Sequence, residues 1–598
     1  MRKITLLTLL FMLIGVLAAC GDDSGGGGSS NIPNNAVQIS VIYAPESEQY
    51  MPEIIRRFNQ SYRDGVNPVT GSALADGERP IYITGSPPQG GLSSGGVTQG
   101  IVNAALGANV ENTLRPTLFA PSVSHWLSLA NLNSGRPLFD LADAQPTAIS
   151  PVVIAIWQSR LDAIVNTIAE RDGISPDEVE VGWQDLLDVL NSPNGWADYG
   201  IPDGRRAVYY GHANPLNSST ALSTLISEYY ACARQNGFTG RRLELEQVYD
   251  ETIQECVRGI EQLVRHYARR TEDFLSYIGR GPEYLDFVAV EETDVICMNT
   301  GGSQGDEQCL RPTEPLVALY PSEGTFWHEH PIAVVNADWV TPEQATAGQV
   351  FIDFMLLPPQ QELIMSYGFR PANTSVSLAY PFVAENGVTT ESPPSIDIPP
   401  QDVLVALQES WSLVRKQADV FLLLDISGSM GEDNKLAQAQ EALLAFLANM
   451  ETNNRVALAT FSDDVTMRYP LEIYETNQQQ LRLYIPTTRA QGGTELFEAI
   501  IHSLEQLNQN QDTERIRAVV VLSDGEDTGD SGYTLSDVTQ AIAASRETVN
   551  PIIVVPVAYG ANADINALNS IARASNTQVV FGDPDNIEAV LEIISSFF

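Results

Sequence analysis

The chain has 598 residues, which at roughly 100–200 residues per domain makes two to four domains, each long enough to bury a core. Thirty-three basic residues face 75 acidic ones, a formal charge of −42, so phosphate backbones and anionic headgroups are repelled and nucleic acid is not expected as a partner. A hydrophobic fraction of 43% argues against wholesale disorder, and beyond the first twenty positions no apolar run approaches the ~20 residues that span a bilayer.

At the N-terminus, Arg2 and Lys3 precede a mostly apolar stretch over 4–16 and then Leu17-Ala18-Ala19-Cys20. That order describes a secretory signal over 1–19. The Leu-Ala-Ala-Cys ending resembles a bacterial lipobox, which implies that Cys20 is acylated and begins the mature chain. Residues 20–36, rich in Gly and Ser, read as a flexible tether. The expectation is a lipid-anchored protein on the extracytoplasmic face of a cell membrane. Four cysteines remain, Cys232, Cys256, Cys297 and Cys309. An even count in an exported chain suggests two disulfides; three pairings are open, and the sequence-local Cys232–Cys256 and Cys297–Cys309 is preferred. The spacings are wrong for paired zinc knuckles.

Residues 37–43 (VQISVIY) alternate as a strand, and helical spacing follows over 47–62 at Ile54, Ile55 and Phe58. A second strand over 81–84 runs into a Gly/Ser-rich loop over 85–96. Residues 152–157 form another apolar strand, helices are expected near 183–191, 220–233 and 243–279, a strand over 331–336, and a helix over 342–366. Strands alternating with helices predict α/β layering on mostly parallel sheets.

Several segments in order carry a resemblance: RPTLFAPS over 115–122, VVIAIW over 152–157, GWQDL over 182–186, HANPLNSST over 212–220 and YPSEGT over 320–325. With the opening strand and helix, they make residues 37–383 similar to the extracellular solute-binding proteins of ABC transporters. That resemblance implies two α/β lobes with a ligand between them, and chain crossings near 122–150 and 310–335. The candidate cleft residues are Ser86, Ser122, Asn217, Ser218 and Ser219. Asn217-Ser218-Ser219-Thr220 precedes a helix, so hydroxyls and free N–H groups converge at a positive dipole end. This is an anion site if it opens into the cleft, and a helix cap if it does not. Trp126 is either a pocket wall or core, and His328-Glu329-His330 offers alternate imidazoles for a metal.

Residues 384–401 (AENGVTTESPPSIDIPPQ) form a Pro-rich linker. The amphipathic stretch 402–416, with Val403, Leu404, Leu407, Trp411 and Val414 on one side, is expected to pack on the domain that follows.

That domain, 402–598 with its leading helix, carries the sharpest chemistry. An apolar strand over 420–424 ends in Asp425-Ile426-Ser427-Gly428-Ser429, a carboxylate and two hydroxyls at alternate positions. These are hard oxygen ligands, suited to Mg²⁺ or Ca²⁺. Thr494 sits before the helix at 495–507, and Asp524 follows the strand at 518–522. All three loops fall at one end of a parallel sheet, where open α/β folds place ligands. From about 417 onward the chain resembles a von Willebrand factor type A domain. That resemblance implies a Rossmann-like fold with a central, mostly parallel sheet. It also implies a metal-ion-dependent adhesion site made by Asp425, Ser427, Ser429, Thr494 and Asp524, holding Mg²⁺ (with Ca²⁺ or Mn²⁺ as alternatives). In that family the C-terminal helix, here 587–596, slides when ligand binds. Over 417–598 there are 9 basic and 26 acidic residues, a net −17, in tension with a surface that recognises carboxylates. The acidic run Glu526, Asp527, Asp530 lacks the order of a calcium loop and reads as solvated surface.

The sequence therefore predicts a cell-surface binding protein, not an enzyme: no base stands beside either metal-site serine. Its partner is a protein presenting Asp or Glu to the metal, and a small solute is a second candidate ligand. The alternative is the solute-binding component of an ABC transporter, with the C-terminal domain as a docking module.

Overall fold

The computed structural model describes residues 32–582, apart from 34, 89–91, 109, 111, 203–207, 266, 269, 280, 283, 302–308, 310, 313, 449, 511, 513, 526, 530, 531, 547, 549, 560–562, 576 and 578. The expected signal segment, Cys20 and the C-terminal helix over 587–596 lie outside the described residues.

The first block is built on two sheets. In one, Ile81–Ser86, Val37–Tyr43 and Leu118–Ala120 lie parallel and side by side, followed by antiparallel Pro331–Val334 and Gln145–Pro146. Alternation in Val37–Tyr43 turns Val37, Ile39, Val41 and Tyr43 onto a core shared with Ile54 and Phe58 of Met51–Arg63 and Phe351 of Pro342–Met355. The second sheet centres on Ala148–Trp157. Phe287–Glu291, Leu316–Leu319, Trp327–His328 and Arg370–Pro371 all run antiparallel to it. The expectation of mostly parallel sheets therefore fails here. A ten-residue strand has room for different partners along its length, and Phe287–Glu291, Leu316–Leu319 and Trp327–His328 each pair with a different part or edge of it. The chain passes between the sheets at Thr147 and again between Trp327–His328 and Pro331–Val334, within the expected crossing regions, and a third time between Pro331–Val334 and Arg370–Pro371, outside them.

Three further differences have local causes. The stretch 243–279 is three helices, Leu245–Tyr249, Glu251–Glu261 and Thr271–Ile278, because Asp250 adopts an extended conformation and caps a new start at Thr252 and Ile253. The stretch 342–366 divides at Pro358, which opens the helix Pro358–Ser366. Part of the expected loop over 85–96 is the start of a helix, Ser94–Leu106. Its glycines are sites of close approach: a Cβ on Gly95 would lie 2.5 Å from Leu216 O and one on Gly100 2.6 Å from Asn112 Oδ1. The two disulfides join Cys232 to Cys256 and Cys297 to Cys309.

The proline-rich segment is a strap on the first block. Thr325 N–H donates to Pro394 O and Ile396 N–H to Thr325 O, each at 2.9 Å, and Val388 and Ile396 are buried. The helix Gln401–Val414 packs backward, which corrects the expectation that it covers the following domain. Trp411 stacks edge-on at 5.7 Å from His212 and 5.1 Å from Tyr267, and the Tyr229 hydroxyl donates to Ser410 Oγ at 2.9 Å. Amphipathicity shows that a helix has a buried face, and says nothing of which neighbour buries it.

Gln417 then opens the central strand of the third sheet. Its order is Val465–Ile473, Arg455–Phe461, Gln417–Asp425, Arg515–Ser523, Ile552–Tyr559 and Val580–Gly582, parallel throughout except for the first. Helices that include Lys435–Ala448 and Leu496–Gln509 cover its faces, so the inner strands are continuously apolar.

Candidate metal centre and the strand-end residues of the first block

Parallel pairing of Gln417–Asp425 with Arg515–Ser523 sets Leu424 opposite Leu522, so Asp425 and Asp524 leave the same end of the sheet. The turn after Asp425 is held by the aspartate itself: Ser427 N–H donates to Asp425 Oδ1 at 2.8 Å, and the Ser523 hydroxyl donates to Oδ2 at 2.6 Å. Ser427 Oγ lies 3.1 Å from Ser429 Oγ. The second loop is tied to the first by Gly428 N–H on Gly492 O at 3.0 Å and Gln491 N–H on Ile426 O at 2.7 Å. Gly492 has φ +77°, and a Cβ there would collide with Asp463, whose Oδ1 accepts Gly493 N–H at 2.6 Å. Thr494 follows, buried, its N–H donating to Thr528 Oγ1 at 3.0 Å.

The five expected ligands thus come from three loops laced into one surface. Asp425, Ser427, Thr494 and Asp524 are buried and Ser429 is partly exposed. Burial pushes the Asp425 carboxyl up to about 6 against its bonds from Ser427 and Ser523, and the charge of Asp524 adds to the rise. Asp524 Oδ1 is buried without a hydrogen-bond partner, while Oδ2 accepts from Lys435 Nζ at 3.1 Å. An orphaned carboxylate oxygen beside hydroxyls and a second carboxylate is the donor set that a hard divalent cation satisfies.

Lys435, Ser523, Asp463 and Thr528 were not read from the sequence. Ser523 adjoins Asp524, and its role needed the strand register. Lys435 had a signal: the sequence holds three lysines, Lys3, Lys416 and Lys435, and the one at this centre is 7% exposed. It is set by Asp433 and Asn434, whose φ values of 50° and 60° suit the left-handed tolerance of Asp and Asn. Of the acidic run, Asp527 accepts Phe497 N–H at 3.1 Å, and Glu526 and Asp530 lie outside the described residues.

In the first block the expected cleft residues are largely spent within the chain. Ser218 caps its helix at Ala221 N, 3.2 Å, and its hydroxyl lies 3.0 Å from Thr271 Oγ1. Ser219 Oγ accepts Trp126 Nε1–H at 2.8 Å, so that Trp is core. The Asn217 carbonyl accepts Gly95 N–H at 3.1 Å and the Ser93 hydroxyl. Ser122 is buried and donates to Glu46 Oε2 at 3.1 Å. Ser86, half-buried, ends its strand. These contacts give the helix cap, and the anion pocket is not formed at Ser218–Ser219. His328 and His330 converge on Glu291, at 2.7 and 3.0 Å, where a metal was the sequence alternative. Burial raises the Glu291 carboxyl, but the two imidazoles outweigh it and hold it at about 2. Burial, then the charge of Glu291, pushes Glu46 up to about 8. The meeting point of the two halves is therefore filled by this buried polar cluster.

Comparison with known proteins places residues 419–594 in the von Willebrand factor type A domain family. Domains of this family often bind a divalent metal and commonly mediate protein interactions. The inter-alpha-trypsin inhibitor heavy chain H4 of Sus scrofa is 28% identical over 125 residues, 20% of this chain. The match spans only 13% of that relative's length. Among solved structures, a von Willebrand factor type A protein from Catenulispora acidiphila is 17% identical over 31% of this chain and 43% of its own, with a TM-score of 0.27. The periplasmic binding protein AfuA from Actinobacillus pleuropneumoniae is 13% identical and matches 64% of this chain and all of its own, with a TM-score of 0.40.

Proposed function

We propose that the C-terminal domain holds Mg²⁺ through Asp425, Ser427, Ser429, Thr494 and Asp524, and that a protein partner completes the coordination with an Asp or Glu carboxylate. The observation that carries this reading is the buried, unpartnered Asp524 Oδ1, left beside the Ser427 and Ser429 loop and the Asp425 carboxylate while Lys435 occupies only Oδ2. Mg²⁺ takes about six oxygens, and a set with two formal charges leaves it electron-poor. A partner carboxylate neutralises it better than water does, so adhesion depends on the ion even on an acidic surface. Serines that ligate a cation and have no general base beside them bind and do not attack, so the protein is a receptor and not an enzyme. The first block serves as a closed scaffold, since the residues at its strand ends are engaged with one another. Acylation at Cys20 would hold the assembly on the extracytoplasmic face of the membrane.

The test is capture of surface proteins by the purified chain with Mg²⁺, with EDTA, and with Asp425→Ala, whose folding is checked by its thermal transition. Capture that depends on Mg²⁺ and is lost in the variant supports the proposal. Capture indifferent to EDTA and to Asp425 overturns it.

A further inference from the structure

Away from the C-terminal centre, the first block contains a second set of donors. Among the described residues, His212, Glu228 and Glu261 form the one His/acid cluster whose potential ligand atoms all lie within 4.8 Å of one another, and all three are fully buried. They come from three elements: the turn after Tyr210–Gly211, the helix Ser219–Gln235, and the last residue of Glu251–Glu261.

Each group is aimed by an outer partner. His212 Nδ1 lies 2.7 Å from the Ala213 carbonyl, which calls for a proton on Nδ1, and Nε2 faces Glu261 at 3.1 and 3.2 Å, where it either carries a second proton or offers a lone pair to a cation. The Tyr267 hydroxyl donates to Glu261 Oε2 at 2.8 Å and the Tyr210 hydroxyl to Glu228 Oε1 at 3.2 Å. Those bonds leave Glu261 Oε1 in contact with Nε2, and Glu228 Oε2 buried with no hydrogen-bond partner. An imidazole nitrogen facing one carboxylate, with an oxygen of a second carboxylate orphaned beside it, is an arrangement that a cation resolves. Neither glutamate forms an ion pair with Arg or Lys among the described residues. Arg415 stacks 5.6 Å from the Trp411 and Tyr267 rings and pairs with Glu451.

We infer that His212, Glu228 and Glu261 bind one divalent transition-metal ion of the Zn²⁺ or Mn²⁺ class. Imidazole with two carboxylates favours such ions over Mg²⁺ and Ca²⁺. Ligands at about 2.0 Å in a tetrahedral shell lie about 3.3 Å apart, close to the His212–Glu261 separation, so modest movement of Glu228 completes three of four positions. Two positive charges cancel the two carboxylates, which removes the desolvation cost of leaving them buried. The ion also bears on the domain junction. The Tyr267 hydroxyl that steadies Glu261 accepts the amide of Lys416, the residue before the central strand of the C-terminal sheet, and Trp411 lies against His212. The rival occupant is a proton, held on His212 Nε2 against Glu261 or shared between Glu228 and Glu261.

The experiment uses the full chain carrying Asp425→Ala, so that the C-terminal centre cannot supply the signal. It is expressed with added zinc and desalted, and its metal is counted by mass spectrometry. The expected result is about one zinc per chain, falling at least fivefold with Glu228→Gln or His212→Asn, in line with the loss that follows disruption of a metal shell. Zinc-edge X-ray absorption of the Asp425→Ala chain should show one imidazole with oxygen neighbours, a readout that does not depend on how the second variants fold. No retained zinc, full retention in Glu228→Gln, or a shell with no imidazole or with two, overturns the assignment. Loss of Mg²⁺-dependent capture leaves this result untouched, because Asp425 is absent from every sample.

Discussion

Replacing Lys435 by Met removes an ammonium from the C-terminal centre while keeping the stem that fills its space. Nζ lies 3.1 Å from Asp524 Oδ2, with the two side chains 7% and 5% exposed. Without it, Asp524 is a buried carboxylate near a second one, Asp425, and removing one member of a buried pair costs about 3–5 kcal/mol. In a domain spanning residues 419–594, each 1 kcal/mol moves the unfolding midpoint by roughly 2–4 °C. The lower bound is therefore a fall of about 6 °C in EDTA. A divalent cation supplies the missing charge, and at a hundred times its dissociation constant adds about 2.7 kcal/mol to whichever form binds it. The freed carboxylate binds it more tightly than the lysine-paired one, so the deficit shrinks by half or more at saturating Mg²⁺. Calorimetric scans of wild type and Lys435→Met, each in EDTA and in Mg²⁺, read this directly. An equal deficit in both conditions refutes the reasoning that the ammonium and the cation serve the same carboxylate.

Ser523→Ala removes the 2.6 Å bond to Asp425 Oδ2 and orphans Gly525 N–H, and should cost about 1–3 kcal/mol and weaken Mg²⁺ binding by titration calorimetry; unchanged affinity counts against its supporting role. Glu46, with its carboxyl raised to about 8, contributes stability that is complete below about 4.5 and is lost as pH rises toward 8. Glu46→Gln mimics the protonated acid, so from pH 5 to 8 it should gain on wild type by about 1 kcal/mol per unit in urea unfolding; parallel pH profiles would sink this. Trp411→Ala should cost about 3–5 kcal/mol and lower the transition of the first block, read by proteolysis before Gln401; a loss confined to the C-terminal transition contradicts the backward packing of its helix.

Much of the C-terminal centre was legible because its chemistry is written in local patterns. An apolar run ending in Asp425-Ile426-Ser427-Gly428-Ser429 names a strand and a ligand-bearing turn together, and parallel strands deliver their ends to one edge. Lys435 and Ser523 were invisible to that reading, because their importance depends on register and on a helix start that points inward. In the first block, Ser218 and Ser219 read equally well as cap or pocket. A cap is satisfied by its own helix, whereas a pocket requires that nothing else approach, and Trp126 and Thr271 do approach.

Local chemistry settled which segments become strands, which stretch is apolar on one side, and which residue types can hold a hard cation, since propensity, periodicity and side-chain polarity act within a few residues. The fold alone decided that the helix around Trp411 belongs to the block before it, that Ala148–Trp157 gathers antiparallel partners, and that His212, Glu228 and Glu261 meet. Those outcomes depend on contacts between residues tens or hundreds of positions apart, and such contacts come into being only when the chain has closed on its cores.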